Sequence, residues 1–397
     1  MKKLHSNLKF STRRQFLATA TGAVALASAP AIIRSAMAAD TVKIGIFVAL
    51  TGPASLFGPT QKACAELAVD QVNDAGGING KKVDLIVVDG GVSPADAAKT
   101  GIRLMLNDKV DFVVGSHDSA VRQALVAAFK GKVPYVYTPI YEGGECAPNT
   151  YVIADTPQQQ LDLALPWLAN KSGIDSVYMI GNDYVWPQTL NKYAKGIISK
   201  LGGKVVGEEY MPLGAPNKFE EVVTRIKSAN PKLVFVTLVG GDNVNFNRTF
   251  AGFGADKITR LSSLLEENTL NGIGAENANN LYGAMSYYAN IDTPRNAAFK
   301  KAYAAKFGAK APQLSLLGVD CYAGVKFTAA VVNKAGSANS QAVAKAALNL
   351  TFDAPGGLWT MRANRHVDKT MHLANATGGS FKVIKSVANM ASGQTCS

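Results

Sequence analysis

Short apolar runs that alternate with helical stretches are the feature that most constrains the fold of this 397-residue chain. From residue 42 onward the runs are apolar at most positions, not only at alternate ones, and β-branched residues are frequent in them. This pattern is typical of parallel strands that are buried on both faces and joined by helices. The first group of predicted strands comprises 42–50, 83–89, 111–115 and 134–137, with helices at 61–74, 95–106 and 119–129.

The same rhythm restarts after residues 155–157. Here the predicted strands are 176–181, 204–209, 233–239, 258–265 and 281–288, with helices at 188–201 and 219–229 and a short helix before the last strand. The tail adds predicted helices at 294–307, 315–334 and 340–348 and strands at 358–361 and 371–375. Because the tail is too short for a third domain, we expect it to complete the first two.

We therefore predict an α/β fold of two doubly wound parallel-sheet lobes with a ligand cleft between them. Lobe 1 would comprise 39–156 plus 286–355, and lobe 2 would comprise 157–285 plus 356–397, so that the chain crosses between lobes three times. Ligands of open α/β sheets bind outside the carboxyl ends of the strands. Hinge closure of the lobes would then bury the ligand.

Residues 1–38 have the pattern of an export signal. Arg13 and Arg14 precede an apolar run at 16–33, and Ala36-Met37-Ala38 is a small-x-small cleavage site. The sequence Ser-Thr-Arg-Arg-Gln-Phe-Leu at 11–17 resembles the twin-arginine signal of bacteria. The alternative is an ordinary basic segment for the general secretion route. Both interpretations predict a periplasmic protein that is soluble after cleavage.

The charge of the chain argues against a nucleic-acid partner. The formal net charge is +12, and about half of it leaves with the signal, which carries Lys2, Lys3, Lys9, Arg13, Arg14 and Arg34. The remaining basic residues form no cluster. The four cysteines, Cys64, Cys146, Cys321 and Cys396, allow two disulfides in an oxidising compartment, and their spacing favours no pairing over buried free thiols.

Polar and aromatic side chains follow several predicted strands and are the candidates for ligand contact. They are Phe57, Ser119 and Tyr137 in lobe 1 and Tyr184, Trp186, Asp242, Glu266 and Glu267 in lobe 2. Ser119 would bind a carboxylate or carbonyl at a helix start, or would act only as the N-cap of that helix. The tyrosines would wall the pocket or simply pack. Asp242 would contact the ligand or act only as an N-cap. Of the paired glutamates, one would reach the cleft and the other would cap a helix. We expect His117 to face solvent.

Sequence signatures of catalysis are missing. The chain contains no G-x-S-x-G, H-E-x-x-H or G-x-G-x-x-G motif and no complete phosphate loop. His366 and His372 lie in the tail, away from the predicted strand-end loops, which makes a metal site improbable. We therefore expect a protein that is not an enzyme and that uses no cofactor and no metal.

Several motifs resemble those of the type I periplasmic solute-binding proteins of ABC importers, in the branched-chain amino-acid group. Residues 73–83, Asn-Asp-Ala-Gly-Gly-Ile-Asn-Gly-Lys-Lys-Val, resemble the turn that closes the first helix in that group. The urea and short-chain amide branch is the most similar, on Tyr-Glu-Gly at 141–143, Gly-Asn-Asp-Tyr-Val-Trp-Pro at 181–187, Ile-Asp-Thr-Pro at 291–294, Asp-Ala-Pro-Gly-Gly at 353–357 and Asn-Arg-His at 364–366.

The resemblance implies a monomer that captures a small polar solute and docks to a membrane permease. The resemblance also implies that the ligand pocket is formed by Ser119, Tyr137, Tyr184, Asp242 and either Glu266 or Glu267. The chain departs from the branch with Thr-Pro at 138–139, where relatives have Pro directly after the tyrosine, and with Trp186 in place of a smaller aromatic. Both changes alter the pocket volume. Urea, a short amide, a branched-chain amino acid and an aromatic acid all stay open as ligands. The alternatives from other functional classes are an amide hydrolase that uses Glu266 or Glu267 with an acid partner, and a sensor.

Overall fold

Two β-sheets form the centre of the computed structural model, which describes residues 41–216, 218–394 and 396. The predicted export signal at 1–38 lies outside the described residues. None of the helices that the structure describes combines the length and the hydropathy of a membrane span.

The first sheet has five strands in the order β2-β1-β3-β4-β5, and every pair in it is parallel. Its strands are β1 Val42–Val48, β2 Val83–Asp89, β3 Phe112–Gly115, β4 Tyr135–Tyr137 and β5 Thr150–Val152. The helices between them are α1 Gly58–Asp74, α2 Pro94–Leu106 and α3 Ser119–Phe129. The strand order reverses between β1 and β3, so the first sheet has its topological switch point there.

The second sheet has nine strands, in the order β11-β12-β13-β10-β9-β8-β6-β7 with β14 paired to β13. Its strands are β6 Ser176–Asn182, β7 Lys204–Met211, β8 Leu233–Thr237, β9 Thr259–Ser262, β10 Leu281–Met285, β11 Thr351–Ala354, β12 Gly357–Met361, β13 Val367–Thr377 and β14 Ser380–Met390. Strands β6 to β10 are parallel, whereas β11 to β14 form an antiparallel extension. The predicted pair of α/β lobes is confirmed, and the extension is an addition to it.

The remaining helices are α4 Pro157–Ser172, α5 Val185–Lys200, α6 Glu220–Ala229, α7 Gly240–Gly252, α8 Glu267–Ile273, α9 Pro294–Phe307, α10 Leu316–Ala335 and α11 Ser340–Ala347. Three helices, α2, α4 and α9, begin in the same way: Ser93, Thr156 or Thr293 accepts a hydrogen bond from a first-turn N–H, and a proline follows directly. The side chain satisfies an otherwise free donor, and proline fits the first helical position.

The helices of the tail pack beside the first sheet, whereas its strands β12 to β14 extend the second sheet. Helix α10 lies against α1 and β3, and α11 packs on α10. Strand β11 contacts α10 but pairs with β12, which belongs to the second sheet. The lobe boundaries at 156, 286 and 355 therefore stay a prediction, because β11 touches both halves of the molecule close to the last of them.

A group that we call the crossover cluster lies where the chain passes between the sheets: Asp155, Ser286, Trp359 and Lys369. Lys369 Nζ is 2.5 Å from Asp155 Oδ1, and both side chains are fully buried. The ammonium also donates to the carbonyl oxygen of Ile153 and lies 4.3 Å from the centre of the Trp359 ring. The other carboxylate oxygen of Asp155 accepts from the backbone N–H of Ser286 at 2.9 Å.

One disulfide forms, between Cys146 and Cys396, across a sequence separation of 250 residues. Cys64 and Cys321 are buried free thiols. The sequence left two disulfides and buried free thiols open as alternatives. The structure has one disulfide and two buried free thiols.

Candidate functional site

A cavity lies at the switch point of the first sheet, where Ala49 follows β1 and residues 116–119 follow β3. Residues of the second sheet's strand-end loops, among them Tyr184 and Val239, close it from the other side. The cavity is therefore built by both lobes at the place where open α/β folds bind ligands. Larger depressions exist, but one of about 630 Å³ lies near Thr41, at the amino end of β1, and one of about 750 Å³ lies between α4 and α5.

Apolar side chains form most of the cavity wall. They are Ala49, Ala54, Phe57, Pro139, Ile140, Trp186, Val239, Leu264 and Leu317. The cavity measures about 50 Å³, well below the roughly 300–1,000 Å³ of typical ligand pockets. A ligand of more than a few heavy atoms consequently requires the two walls to stand further apart than they do here.

The polar edge of the cavity is the start of α3. Asp118, not Ser119, is the N-cap of this helix: its backbone is extended (φ −68°, ψ 166°) and its side chain accepts from the N–H of Val121 at 2.9 Å. The predicted capping role of Ser119 is therefore wrong. Ser119 is the first helical residue, and its hydroxyl donates to Glu142 Oε2 at 2.5 Å. Both Asp118 and Ser119 line the cavity.

His117 also lines the cavity, and the expectation that it faces solvent is wrong because Phe47, Tyr135 and Tyr137 enclose its ring. Its Nδ1 is 3.0 Å from the carbonyl oxygen of Asp118, and its Nε2 is 2.9 Å from the Tyr135 hydroxyl. Burial lowers the pKa of His117 to about 4, so the ring is neutral at neutral pH. Burial raises the pKa of Asp118, and the backbone N–H groups that it accepts from oppose that rise.

A buried ion-pair network lies behind Ser119. Arg122 Nη2 is 2.9 Å from Glu142 Oε1, and Arg122 Nε is 3.4 Å from Glu145 Oε2; the side chains are 4 to 9% exposed. The guanidinium also lies 5.3 Å from the ring centre of Tyr137. Tyr137 is itself fully buried, and its hydroxyl donates to the carbonyl oxygen of His117 at 3.0 Å. Tyr137 thus supports the loop that carries the polar edge and lies outside the cavity lining.

Lobe 2 contributes an aromatic wall. The rings of Tyr184 and Trp186 are 6.2 Å apart at an interplanar angle of 41°, and Trp186 is 2% exposed. Tyr184 occupies the N-cap position of α5, which places both rings at the carboxyl end of β6. Together with Phe57 from lobe 1, they line the cavity with one phenylalanine, one tyrosine and one tryptophan.

The three predicted acids lie outside the cavity lining and have structural partners. Asp242 accepts from Asn182 Nδ2 at 2.7 Å and from the N–H of Gly214 at 3.0 Å, which ties together the loops after β6 and β7. Glu266 caps α8 by accepting from the N–H groups of Asn268 and Thr269. Glu267 accepts from the N–H of Ala289 at 2.6 Å. This geometry gives the amide-hydrolase alternative no pair of cavity carboxylates.

The structure thus brings together Phe57, Ser119, Tyr184 and Trp186 and keeps Tyr137, Asp242, Glu266 and Glu267 outside the lining. Sequence reasoning missed Gln61 and Asp118 as lining residues. The signal for Asp118 was present, since it lies between a predicted strand and a predicted helix, where an N-cap acid is common. In the part of the chain that the structure describes, no group of three His, Cys, Asp or Glu side chains could hold a metal ion.

Known proteins resemble the chain in sequence and in fold. A family model described as "Periplasmic binding protein" matches residues 41–380. The leucine-, isoleucine-, valine-, threonine- and alanine-binding protein of Pseudomonas aeruginosa is 24% identical over an alignment of 337 residues, and the alignment covers 81% of this chain and 86% of that protein.

Two solved structures share the fold. A solute-binding protein of an ABC transporter from Rhodopseudomonas palustris BisB5, in complex with 3,4-dihydroxybenzoic acid, has a TM-score of 0.79 at 23% identity and covers 89% of this chain and 99% of its own. An amino-acid ABC transporter substrate-binding protein from Pseudomonas fluorescens Pf-5 has a TM-score of 0.79 at 21% identity and covers 90% and 99%.

Proposed function

Because the chain belongs to the periplasmic binding protein family, we propose that it is the periplasmic substrate-binding component of an ABC importer and that its ligand is an amino acid with an apolar side chain. The lobes would close around the ligand and present it to a membrane permease. The observation that carries the proposal is the character of the cavity, in which a mostly apolar wall meets one carboxylate, that of Asp118.

The apolar wall favours a ligand with an apolar part. Phe57, Trp186 and Leu264 would remove such a group from water, and burial of apolar surface contributes roughly 25 cal/mol per Å². Urea has no apolar part and would face this wall with polar groups that lose their water. Urea is therefore a weaker candidate than an aliphatic amino acid.

The charge of the cavity favours an ammonium over an isolated carboxylate. Asp118 lines the cavity, and among the described lining residues there is no Lys or Arg. Arg122 lies behind Ser119 and is paired with Glu142 and Glu145. An aromatic acid without an amino group would bring its carboxylate near Asp118 with no cation in the lining to offset the repulsion.

A short-chain amide is the second candidate, and the small cavity volume of about 50 Å³ favours it. An amide N–H₂ group would donate to Asp118 as an ammonium does. Unlike an amino acid, the amide would bring no carboxylate of its own into the cavity. The two candidates differ in size and charge, so direct titration separates them.

The proposal is tested by calorimetric titration of the protein from Ala39 onward with leucine, valine, isobutyramide, urea and 4-hydroxybenzoate. We expect binding of leucine or valine to be the tightest, with isobutyramide next. Asp118→Asn should weaken amino-acid binding by about tenfold or more, because it removes the charge that holds the ammonium. The matched control is Asp242→Asn, whose carboxylate lies outside the lining and should affect affinity much less.

Tight binding of 4-hydroxybenzoate with no binding of either amino acid would overturn the ligand assignment and leave the transport role standing. Turnover of isobutyramide during the titration would overturn the transport role itself.

A further inference from the structure

We infer that Glu142, which lies behind the cavity wall, fixes the direction of the Ser119 hydrogen bond and so makes the α3 edge of the cavity a receptor for N–H groups. The inference rests on the proposed function and deepens it. It assigns a specificity-determining role to Glu142, a residue that lies outside the lining of this cavity.

The Ser119 hydroxyl has a single proton to donate. Ser119 Oγ lies 2.5 Å from Glu142 Oε2 with the serine as donor. A carboxylate accepts hydrogen bonds and has no proton to donate. The proton of Ser119 therefore points toward Glu142, and only the oxygen lone pairs are left for a ligand in the cavity.

Glu142 is held in this role by Arg122. The Arg122 guanidinium binds the other carboxylate oxygen at 2.9 Å, and the two side chains are 4% and 5% exposed. Hydrogen bonds with a charged partner are stronger than neutral ones. Rotating the serine proton toward the cavity would leave a buried carboxylate oxygen without its donor, so the orientation is fixed by the network and not by the ligand.

Two side chains beside Ser119 present the same polarity. Asp118, adjacent in the lining, is a carboxyl group that accepts. The hydroxyl proton of Tyr137 is likewise committed, to the carbonyl oxygen of His117 at 3.0 Å. The edge of the cavity at α3 thus combines two acceptors in consecutive residues, and it matches the ammonium of an amino acid or the N–H₂ of an amide. A ligand carboxylate placed there would face the lone pairs of the Asp118 and Ser119 oxygens and would be repelled.

This assignment reverses the role expected from the sequence, in which Ser119 donates to a carboxylate or carbonyl. The type of residue at a helix start indicates a polar contact but not its direction. The direction is set by Glu142, which follows Ser119 by 23 positions in sequence.

The test compares two variants that each remove one carboxylate from Arg122. Glu142→Gln replaces the acceptor of the Ser119 proton with an amide that can donate to Ser119, which frees that proton for the cavity. Glu145→Gln removes the other partner of Arg122 and leaves the Ser119 bond intact. Each protein is titrated with leucine against 4-methylpentanoate and with isobutyramide against isobutyrate, after circular dichroism has shown that it is folded.

We expect the wild type and Glu145→Gln to prefer the N–H-bearing member of each pair by the same factor. Glu142→Gln should reduce that preference by about tenfold, because one acceptor becomes a donor. An unchanged preference in Glu142→Gln, or an equal reduction in both variants, would overturn the inference. Should Glu142→Gln not fold, Ser119→Ala replaces it and is expected to weaken leucine more than 4-methylpentanoate.

A measurement without ligand separates this inference from the proposed function. A serine hydroxyl in a short bond to a carboxylate should give a slowly exchanging, downfield proton signal in the NMR spectrum. The signal should persist in Glu145→Gln and vanish in Ser119→Ala. Its absence from the wild type would overturn the inference even if leucine binds, whereas its presence in a protein that binds neither pair would overturn only the ligand assignment.

Discussion

The carboxylate of Glu267 accepts a hydrogen bond from the backbone N–H of Ala289, with 2.6 Å between Oε1 and N. Burial raises the pKa of Glu267 to about 8, although the hydrogen bond from Ala289 opposes the rise. Between the ordinary pKa of 4.5 and this raised value, the folded protein holds a proton that the unfolded chain has lost. The stability that this proton on Glu267 contributes is therefore complete below pH 4.5 and is lost as the pH rises toward 8.

We predict that Glu267→Gln removes this part of the pH dependence. One proton corresponds to a slope of at most ~1.4 kcal/mol per pH unit in the free energy of unfolding. Urea unfolding of wild type and variant between pH 5 and pH 8.5 measures the difference in slope, and the exposed Glu276→Gln serves as control. Parallel curves for wild type and Glu267→Gln would show that Glu267 ionises normally.

Trp186 is predicted to report ligand binding by its fluorescence, because it lies in the cavity wall and is 2% exposed. Leucine should change the emission of the wild type and of Trp167→Phe, whose indole packs on Tyr282 away from the cavity. Trp186→Phe should lose the change, and Trp186→Ala should bind leucine about 10- to 100-fold more weakly. A full leucine response in Trp186→Phe would place the ligand elsewhere.

The disulfide between Cys146 and Cys396 should stabilise the fold by about 2–5 kcal/mol, because it restricts the unfolded chain. Cys146→Ser and Cys396→Ser are expected to lose the same amount, and the double variant should lose no more than either. Addition of a reductant during urea unfolding should lower the stability of the wild type only. Unequal single variants would indicate that one serine disturbs its surroundings.

The buried pair of the crossover cluster is predicted to tolerate the loss of one partner poorly. Lys369→Met leaves the Asp155 carboxylate buried beside an apolar side chain and should destabilise the protein by about 3–5 kcal/mol. Arg362→Ala is the matched control, since Arg362 pairs with Asp368 but is 45% exposed, and it should change stability by less than about 1 kcal/mol. Chemical unfolding of both variants gives the comparison.

Much of the fold could be predicted because each parallel strand carries its own local signal. Helix α3 begins and ends at the predicted residues, Ser119 and Phe129, and β2 matches its prediction at both ends. The family assignment is confirmed as well, whereas the urea and amide branch stays a prediction. Strands β5, β11 and β14 were not predicted, and β14 carries mostly half-buried or exposed side chains, so it gives no continuous apolar run.

The candidate site was harder to predict, since it depends on contacts between distant residues. Phe57 and Trp186 are far apart in sequence but line the same cavity. The only sequence signal for this was that each follows a predicted strand. The identity of the α3 cap could not be decided from adjacent Asp118 and Ser119, because both residue types cap helices. Nor could the sequence show that Asp242 binds the loop at Gly214, since that contact depends on the packing of β6 beside β7.

The crossover cluster also restricts how the lobes can move. Asp155 and Ser286 belong to two of the connections between the sheets, and one carboxylate joins them to Lys369. Separating this buried carboxylate from its ammonium would cost several kcal/mol. A lobe motion that reverses readily does not break such a pair. We therefore expect any opening of the cavity to keep these atoms in contact, with the axis of rotation close to them. Asp155 would then be the pivot of the motion, and the residues at the cavity mouth would move furthest.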